Sequence, residues 1–318
     1  MSRSFIKMNG LGNDFVVVQP GDERFDPSPE QARAICDRID GIGCDQLILL
    51  VPTDRADMRM RIWNADGSEI NACGNAARCV AWLLMQAGKR GQVRLETNAG
   101  ILEAFNAPGG AVTVDMGPPG LEWTDIPLAS AMDTLELDLR VESARGGPSC
   151  VSMGNPHVVF FVDNVETAPV ESLGPWLEKH QRFPEGANVG FAQILTRDRI
   201  RLRVWERGVG VTRACGTGAC AALVAAHRRG FAGRRAVVDT DGGELVVDWR
   251  ESDNHVLMNG PVEVEYTGRL PALQELDTPH SATVTVAGVR PAAANDFGDP
   301  MGYDRFSGAP SPDPFRRA

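Results

Sequence analysis

The chain contains no apolar run approaching the ~20 residues of a membrane span. Its first residues, Met1-Ser2-Arg3-Ser4-Phe5-Ile6-Lys7, lack the hydrophobic stretch of a secretory signal. The expected location is therefore the cytoplasm. A disulfide framework is missing too: the seven cysteines are an odd number and fit a reducing compartment. Positive charge is in deficit, with 32 Lys and Arg against 42 Asp and Glu and a net charge of −10. That balance disfavours nucleic acid or an anionic membrane as partner. A small anionic molecule remains admissible, because local N–H groups and Arg side chains act at close range whatever the net charge. Metal-type cysteine spacing is also absent. Cys73 to Cys79 and Cys215 to Cys220 are wider than the short Cys-x-x-Cys type of pair, and each pair falls on one helix-like run. No metal and no structural zinc module are expected. What remains is a globular composition, 43% hydrophobic over 318 residues, enough for one large domain or two ordinary ones.

What the sequence does contain is a repeat. Ala72-Cys73-Gly74-Asn75 and Ala214-Cys215-Gly216-Thr217 are two copies of one motif, offset by 142 residues. The same offset carries Arg61-Ile62-Trp63 onto Arg203-Val204-Trp205, Gly12-Asn13 onto Gly154-Asn155, and Val16-Val17 onto Val158-Val159. It carries Gln46 onto Asn188, Asn64 onto Glu206 and Met116 onto Met258. Two homologous halves of one fold follow. Facing each other, they would present two matched thiols to one cleft, an arrangement for removing a proton from one face of a carbon and adding one to the other.

Free cysteine is by default a small buried hydrophobe. Its position here argues for more. Each motif cysteine precedes a Gly, then a polar residue, then a helix-like run. Asn75 and Thr217 are suitable N-caps for those runs. Cys73 and Cys215 would then sit just before a helix N-terminus, where free N–H groups and the dipole favour a thiolate and a bound carboxylate.

Short strand-like runs dominate both halves. Helices are expected at Pro29 to about Arg38, Asn75 to Ala87, Val170 to His180, and Thr217 to Arg229. The pattern is α+β. Met116-Gly117-Pro118-Pro119-Gly120 marks the boundary between a first half, residues 1–118, and a second, residues 119–261. A last strand over 262–268 would join the first half. The segment 270–318 is rich in Pro, Ala, Gly and Asp and reads as a disordered tail.

At these residues the chain resembles the diaminopimelate epimerase family. The resemblance rests on Met8-Asn9-Gly10-Leu11-Gly12-Asn13-Asp14-Phe15, Asn64-Ala65-Asp66-Gly67-Ser68-Glu69 and Cys73-Gly74-Asn75. Met153-Gly154-Asn155-Pro156-His157, Glu206-Arg207-Gly208 and Ala214-Cys215-Gly216-Thr217-Gly218-Ala219-Cys220 continue it, over about residues 5–268. It implies two pseudo-symmetric domains, each a barrel-like antiparallel sheet around a central helix. It implies cofactor-independent interconversion of LL- and meso-2,6-diaminopimelate in lysine and cell-wall precursor synthesis, by a homodimer. By resemblance, Cys73, Cys215, His157 and Glu206 are catalytic, with His157 tuning a nearby thiol. Asn13, Gln46, Asn64, Gly74, Asn75, Asn155, Asn188, Glu206, Arg207, Gly216 and Thr217 bind substrate.

The chemistry needs such residues. Without pyridoxal to delocalise a carbanion, two bases must flank the α-carbon. A thiol starts near pKa 8.5, and a helix N-terminus is expected to lower it, so that thiolate and thiol coexist near neutral pH. The N–H groups of Gly74, Asn75, Gly216 and Thr217 could converge on the substrate carboxylate. Arg207 could grip a distal carboxylate and Glu206 an ammonium. The chain departs from the family pattern at Asn9, Cys44 and Val211, none of which carries an assigned role. A proline- or hydroxyproline-type racemase also uses paired cysteines, but a second carboxylate and ammonium call for the Glu206–Arg207 pair. A cysteine hydrolase built on Cys73 and His157 would leave the second motif unexplained.

Overall fold

The computed structural model describes residues 3–20 and 25–270, together with the backbone of 287–291. The first half runs β1 (Arg3–Gly10), β2 (Asn13–Val18), α1 (Pro29–Cys36), β3 (Gln46–Val51), β4 (Met58–Asn64) and β5 (Glu69–Ile70). It continues with α2 (Gly74–Gly88), β6 (Gln92–Thr97), β7 (Gly100–Asn106) and β8 (Val112–Asp115). The second half repeats the order: β9 (Ser149–Ser152), β10 (Pro156–Phe161), α3 (Val170–Glu178), β11 (Asn188–Thr196), β12 (Arg199–Glu206) and β13 (Gly210–Thr212). Then come α4 (Gly216–Arg228), β14 (Arg235–Thr240), β15 (Gly243–Trp249) and β16 (Val256–Gly260). β17 (Glu263–Leu270) and β18 (Ala287–Pro291) follow.

Most ladders are antiparallel, with two parallel pairs in each half. β2–β3 and β10–β11 bracket α1 and α3, while β4–β6 and β12–β14 bracket α2 and α4. Parallel neighbours need a crossover, and each helix supplies one. The registers repeat as well. Phe15 faces Gln46 as His157 faces Asn188, and Leu47 faces Trp63 as Val189 faces Trp205.

The constant offset fails beyond the central helices. Thr97 faces Gly100 where Thr240 faces Gly243, and Ala104 faces Val114 where Val247 faces Met258. The equivalent of Met258 is thus Val114, not Met116 as the offset of 142 suggested. Small length differences after each helix accumulate, which a fixed offset cannot follow. Val114 and Met258 pair with each other where β8 meets β16, so the pseudo-twofold axis passes between them.

α2 and α4 are apolar nearly all round, as fits a helix enclosed by its own sheet. Leu84 and Leu223 are fully buried among the strands of their own halves. Truncating either to Ala would cost about 2–5 kcal/mol. α1 and α3 cover the outer faces, packing into separate apolar clusters. α1 is capped by Ser28, whose side chain accepts from the Gln31 amide while Gln31 reaches back.

A chain return and one further contact knit the fold together. β17 returns to pair antiparallel with β1. Leu11, at positive φ in the β1–β2 turn, inserts into the apolar cluster of the second half. Gly242 lies so close to the Leu11 carbonyl that a Cβ there would sit 1.9 Å from its oxygen, so no side chain fits.

Within the segment read as a disordered tail, Ala287–Pro291 forms β18, antiparallel to β17. The segments 271–286 and 292–318 lie outside the described residues. Among the described residues no helix is long and apolar enough to cross a membrane.

Candidate active site

Cys73 and Cys215 are themselves the N-caps of α2 and α4, in extended conformations, with Gly74 and Gly216 as first helical residues. Asn75 and Thr217 lie inside the first turn rather than capping it. The sulfur does the capping work at Cys215, where Sγ accepts from the Gly218 amide at 3.4 Å. The two glycines have a shared reason. A Cβ on Gly74 would lie 3.0 Å from Met258 Cε, and one on Gly216 would lie 2.8 Å from Met258 Sδ. Both helix N-termini therefore converge on one residue at the pseudo-twofold axis. Asn75 crosses between the halves, its Nδ2 donating to the Ala214 carbonyl at 3.1 Å.

Glu206 ends β12 beside this junction. Its carboxylate accepts from Thr212 Oγ1 at 2.5 Å and from the Cys215 thiol. Desolvation raises its pKa. Both motif thiols are also raised, against the expectation that a helix N-terminus lowers them. Cys73 is pushed up to about 11, first by desolvation, with the Glu206 charge adding and the Ala76 and Asn75 amides only partly offsetting. Cys215, 4% exposed, is raised well above the ordinary range by burial and by Glu206. Removing water and adding a neighbouring anion outweigh the amides, so both sulfurs are protonated at neutral pH.

Of the other expected residues, Asn13 reaches Cys73, and Asn155 and His157 connect to Cys215 through Thr217, while Gln46, Asn64, Asn188 and Arg207 bond elsewhere. Asn13 Oδ1 accepts from the Cys73 thiol at 3.9 Å, and its Nδ2 donates to Asp45 at 2.8 Å. Gln46 donates to Asn64 Oδ1 at 3.0 Å across the β3–β4 ladder. Gln46 Oε1 is buried with no hydrogen-bond partner among the described residues. On the second side a chain runs to Cys215. His157 Nε2 donates to Asn155 Oδ1 at 3.0 Å, Asn155 Nδ2 donates to Thr217 Oγ1 at 3.4 Å, and Thr217 Oγ1 lies 3.6 Å from Cys215 Sγ. His157 is 1% exposed, and burial with the Arg207 charge pushes its pKa down to about 3, so the ring is neutral. Asn188 donates to the Pro156 carbonyl and accepts from the Arg207 amide, both at 3.0 Å. The exposed Arg207 side chain donates to the Glu185 carbonyl at 2.8 Å and faces no carboxylate among the described residues.

Sequence reasoning missed Asp45, which orients Asn13, and Thr212, which holds Glu206. It also missed Arg78 and Met258 at the centre. The available signal for Arg78 was a charge inside an otherwise apolar helix.

A duplicated α+β fold with one thiol-bearing helix N-terminus per half defines the class. The fold is shared with a hydroxyproline epimerase from Agrobacterium vitis, at TM-score 0.64 and 18% identity over 91% of this chain and 96% of that one. A phenazine biosynthesis protein of the PhzF family from Bacillus anthracis matches at TM-score 0.62 and 15% identity, over 86% and 100%. Sequence narrows the class. A family model for diaminopimelate epimerase matches residues 5–122 and 149–265. The diaminopimelate epimerase of Phenylobacterium zucineum is 57% identical over 274 residues, covering 85% of this chain and 99% of that protein. That of Caulobacter vibrioides is 56% identical over 289 residues, covering 86% and 99%. The chain belongs to the diaminopimelate epimerase family.

Proposed function

We propose that the protein is an isomerase that interconverts LL- and meso-2,6-diaminopimelate by two-base proton transfer between Cys73 and Cys215, without pyridoxal. The observation that carries this reading is the meeting of both thiol-bearing helix N-termini at Met258, with Glu206 acting on both sulfurs. The substrate α-carboxylate sits against the N–H groups of Gly74, Asn75, Gly216 and Thr217. One thiolate takes the α-proton, the electron pair spreads into the carboxylate, and the opposite S–H returns a proton to the other face. After one turnover the protonation states of the two sulfurs are exchanged.

Both thiols start protonated, so binding must create the thiolate. The incoming α-ammonium brings positive charge beside the sulfurs, which favours ionisation. Glu206, already hydrogen-bonded to Cys215 and with a raised pKa, is placed to receive that proton. His157 acts through Asn155 and Thr217 on the orientation of Cys215. At the distal end Arg207 takes the carboxylate, while the unpaired Gln46 Oε1, with Asn13, Asn64, Asn155 and Asn188, takes ammonium or carboxylate atoms. A cyclic imino acid substrate would bring no distal carboxylate to Arg207.

The halves are assigned as residues 1–118 with 262–268, and 119–261; the pairing of β17 with β1 supports that division. The family resemblance supports a cytoplasmic homodimer acting in lysine and peptidoglycan precursor synthesis. The test is deuterium incorporation from D2O into LL-diaminopimelate. The wild-type chain should exchange and epimerise, and Cys73→Ala and Cys215→Ala should not epimerise. Near-wild-type epimerisation by either variant refutes the two-base assignment, and exchange into proline but not diaminopimelate moves the substrate class.

A further inference from the structure

Arg78 is wholly buried in α2, yet among the described residues only Nη1 of its guanidinium is hydrogen-bonded. Nη1 donates to Asn75 Oδ1 at 2.9 Å and to Met258 Sδ at 3.5 Å, while Nε and Nη2 have no partner among the described residues. A buried, half-satisfied charge is less favourable than an apolar side chain of the same length. Packing therefore does not explain it.

The surroundings are built to admit it. A Cβ on Gly10 would lie 3.4 Å from Nη2, and one on Gly260 would lie 3.1 Å from Nε. These two glycines sit at the ends of β1 and β16, one in each half of the repeat. The repeat places Cys220 opposite Arg78, and the Arg78 charge acts on Cys220 as well as on Cys73 and Cys79. Near the pseudo-twofold axis there is room for one long side chain, so one half carries Arg and the other carries a small thiol.

What the guanidinium holds is the Asn75 amide. With Oδ1 fixed by Arg78, Nδ2 is aimed at the carbonyl of Ala214, the residue before Cys215. Asn75 itself is two residues after Cys73. One amide thus ties the turn of the first thiol to the turn of the second. Resting on the proton-transfer reading above, we propose that Arg78 is a positioning residue that locks Asn75 across the junction and so holds the two thiol-bearing turns in one register. Proton transfer to and from opposite faces depends on that register more steeply than substrate binding does.

The test compares Arg78→Met, Arg78→Lys, Asn75→Thr and the Arg78→Met/Asn75→Thr double variant of the full chain, with active sites counted by thiol titration. Asn75→Thr copies the residue that the second half carries at Thr217. Arg78→Met should lose about 100-fold in kcat, the scale of an ångström of misplacement, with KM within about threefold of wild type. Arg78→Lys should recover part of that loss. The double variant should be no worse than Arg78→Met, because both changes break one link. A kcat within about threefold of wild type, a loss carried by KM, or additive losses in the double variant overturns the proposal. If Arg78→Met does not fold, Asn75→Thr decides alone: a fall of about tenfold or more in kcat supports the lock, and an unchanged kcat overturns it. The same cycle measured on urea midpoints needs no substrate. An inactive wild-type chain would therefore sink the proposed function, while coupled or additive midpoints would still decide the lock.

Discussion

Lowering the pH should destabilise the fold through His157, and the size of the effect follows from its burial. The ring is 1% exposed and its pKa falls from the ordinary 6.5 to about 3. The unfolded chain therefore binds a proton between those values that the native chain refuses, and stability drops as pH falls. The slope is about 1.4 kcal/mol per pH unit, and across the whole window the ceiling is about 5 kcal/mol. That is a large share of the stability of an ordinary domain, about 5–15 kcal/mol. The native contribution is complete above pH 6.5 and lost as pH approaches 3. His157→Gln keeps an Nε2 donor for Asn155 and cannot take up the proton. Urea unfolding of both chains at intervals from pH 7.5 to 4 isolates the His157 part from carboxylates common to both. The wild-type curve should fall below that of the variant by about 1 kcal/mol or more per pH unit under pH 6. Parallel curves refute the claim that a buried, neutral His157 underlies the second thiol.

Two kinetic expectations accompany this. Arg207→Lys should raise KM for diaminopimelate by about tenfold or more with a smaller change in kcat, because the planar fork is lost while the charge stays; unchanged kinetics would show that Arg207 does not grip the distal carboxylate. The profile of kcat/KM, which reports the free enzyme, should keep climbing above pH 8 toward the Cys73 value of about 11, whereas kcat should level off at lower pH once a bound ammonium favours the thiolate; superimposable profiles would refute the account of how the thiolate forms.

Motifs and periodicity reached the four helices to within about two residues: α2 and α4 are long apolar runs, and α1 and α3 are short amphipathic ones, α1 opened by Ser28 and Pro29. β1 escaped notice. Its central Lys7 is 4% exposed and held by Asp14 and the Gly43 carbonyl, so the strand lacks a clean alternation. β11 was hidden by Gly190 and a polar end. The caps were misplaced by two residues, since Asn and Thr are the stronger caps in isolation and the sequence does not reveal that Cys73 and Cys215 take the extended conformation. The thiol pKa values went the wrong way for a related reason. A helix N-terminus is visible in the sequence, but the burial of the two thiols, with the Glu206 charge near them, is a tertiary fact. Arg78 was passed over because a charge in a helix is ordinarily a solvated one.

The departures from symmetry are as informative as the repeat. At equivalent positions the first half carries Phe15, Asn64 and Ala65, and the second carries His157, Glu206 and Arg207. The neutral residues lie on one side and the ionisable ones on the other. On the proposed mechanism the reacting carbon needs matched groups on its two faces, which the duplicated thiol turns would provide. The rest of diaminopimelate is a single arm with its own ammonium and carboxylate, and it can extend into only one half. A strictly symmetric site would accept the arm in either direction. On the proposed assignment the distal carboxylate meets Arg207, which only the second half carries, and this would fix the direction, while the central pair of Arg78 and Cys220 would let two near-identical turns meet. On that reading the repeat supplies the two-faced chemistry, and its broken positions supply the orientation.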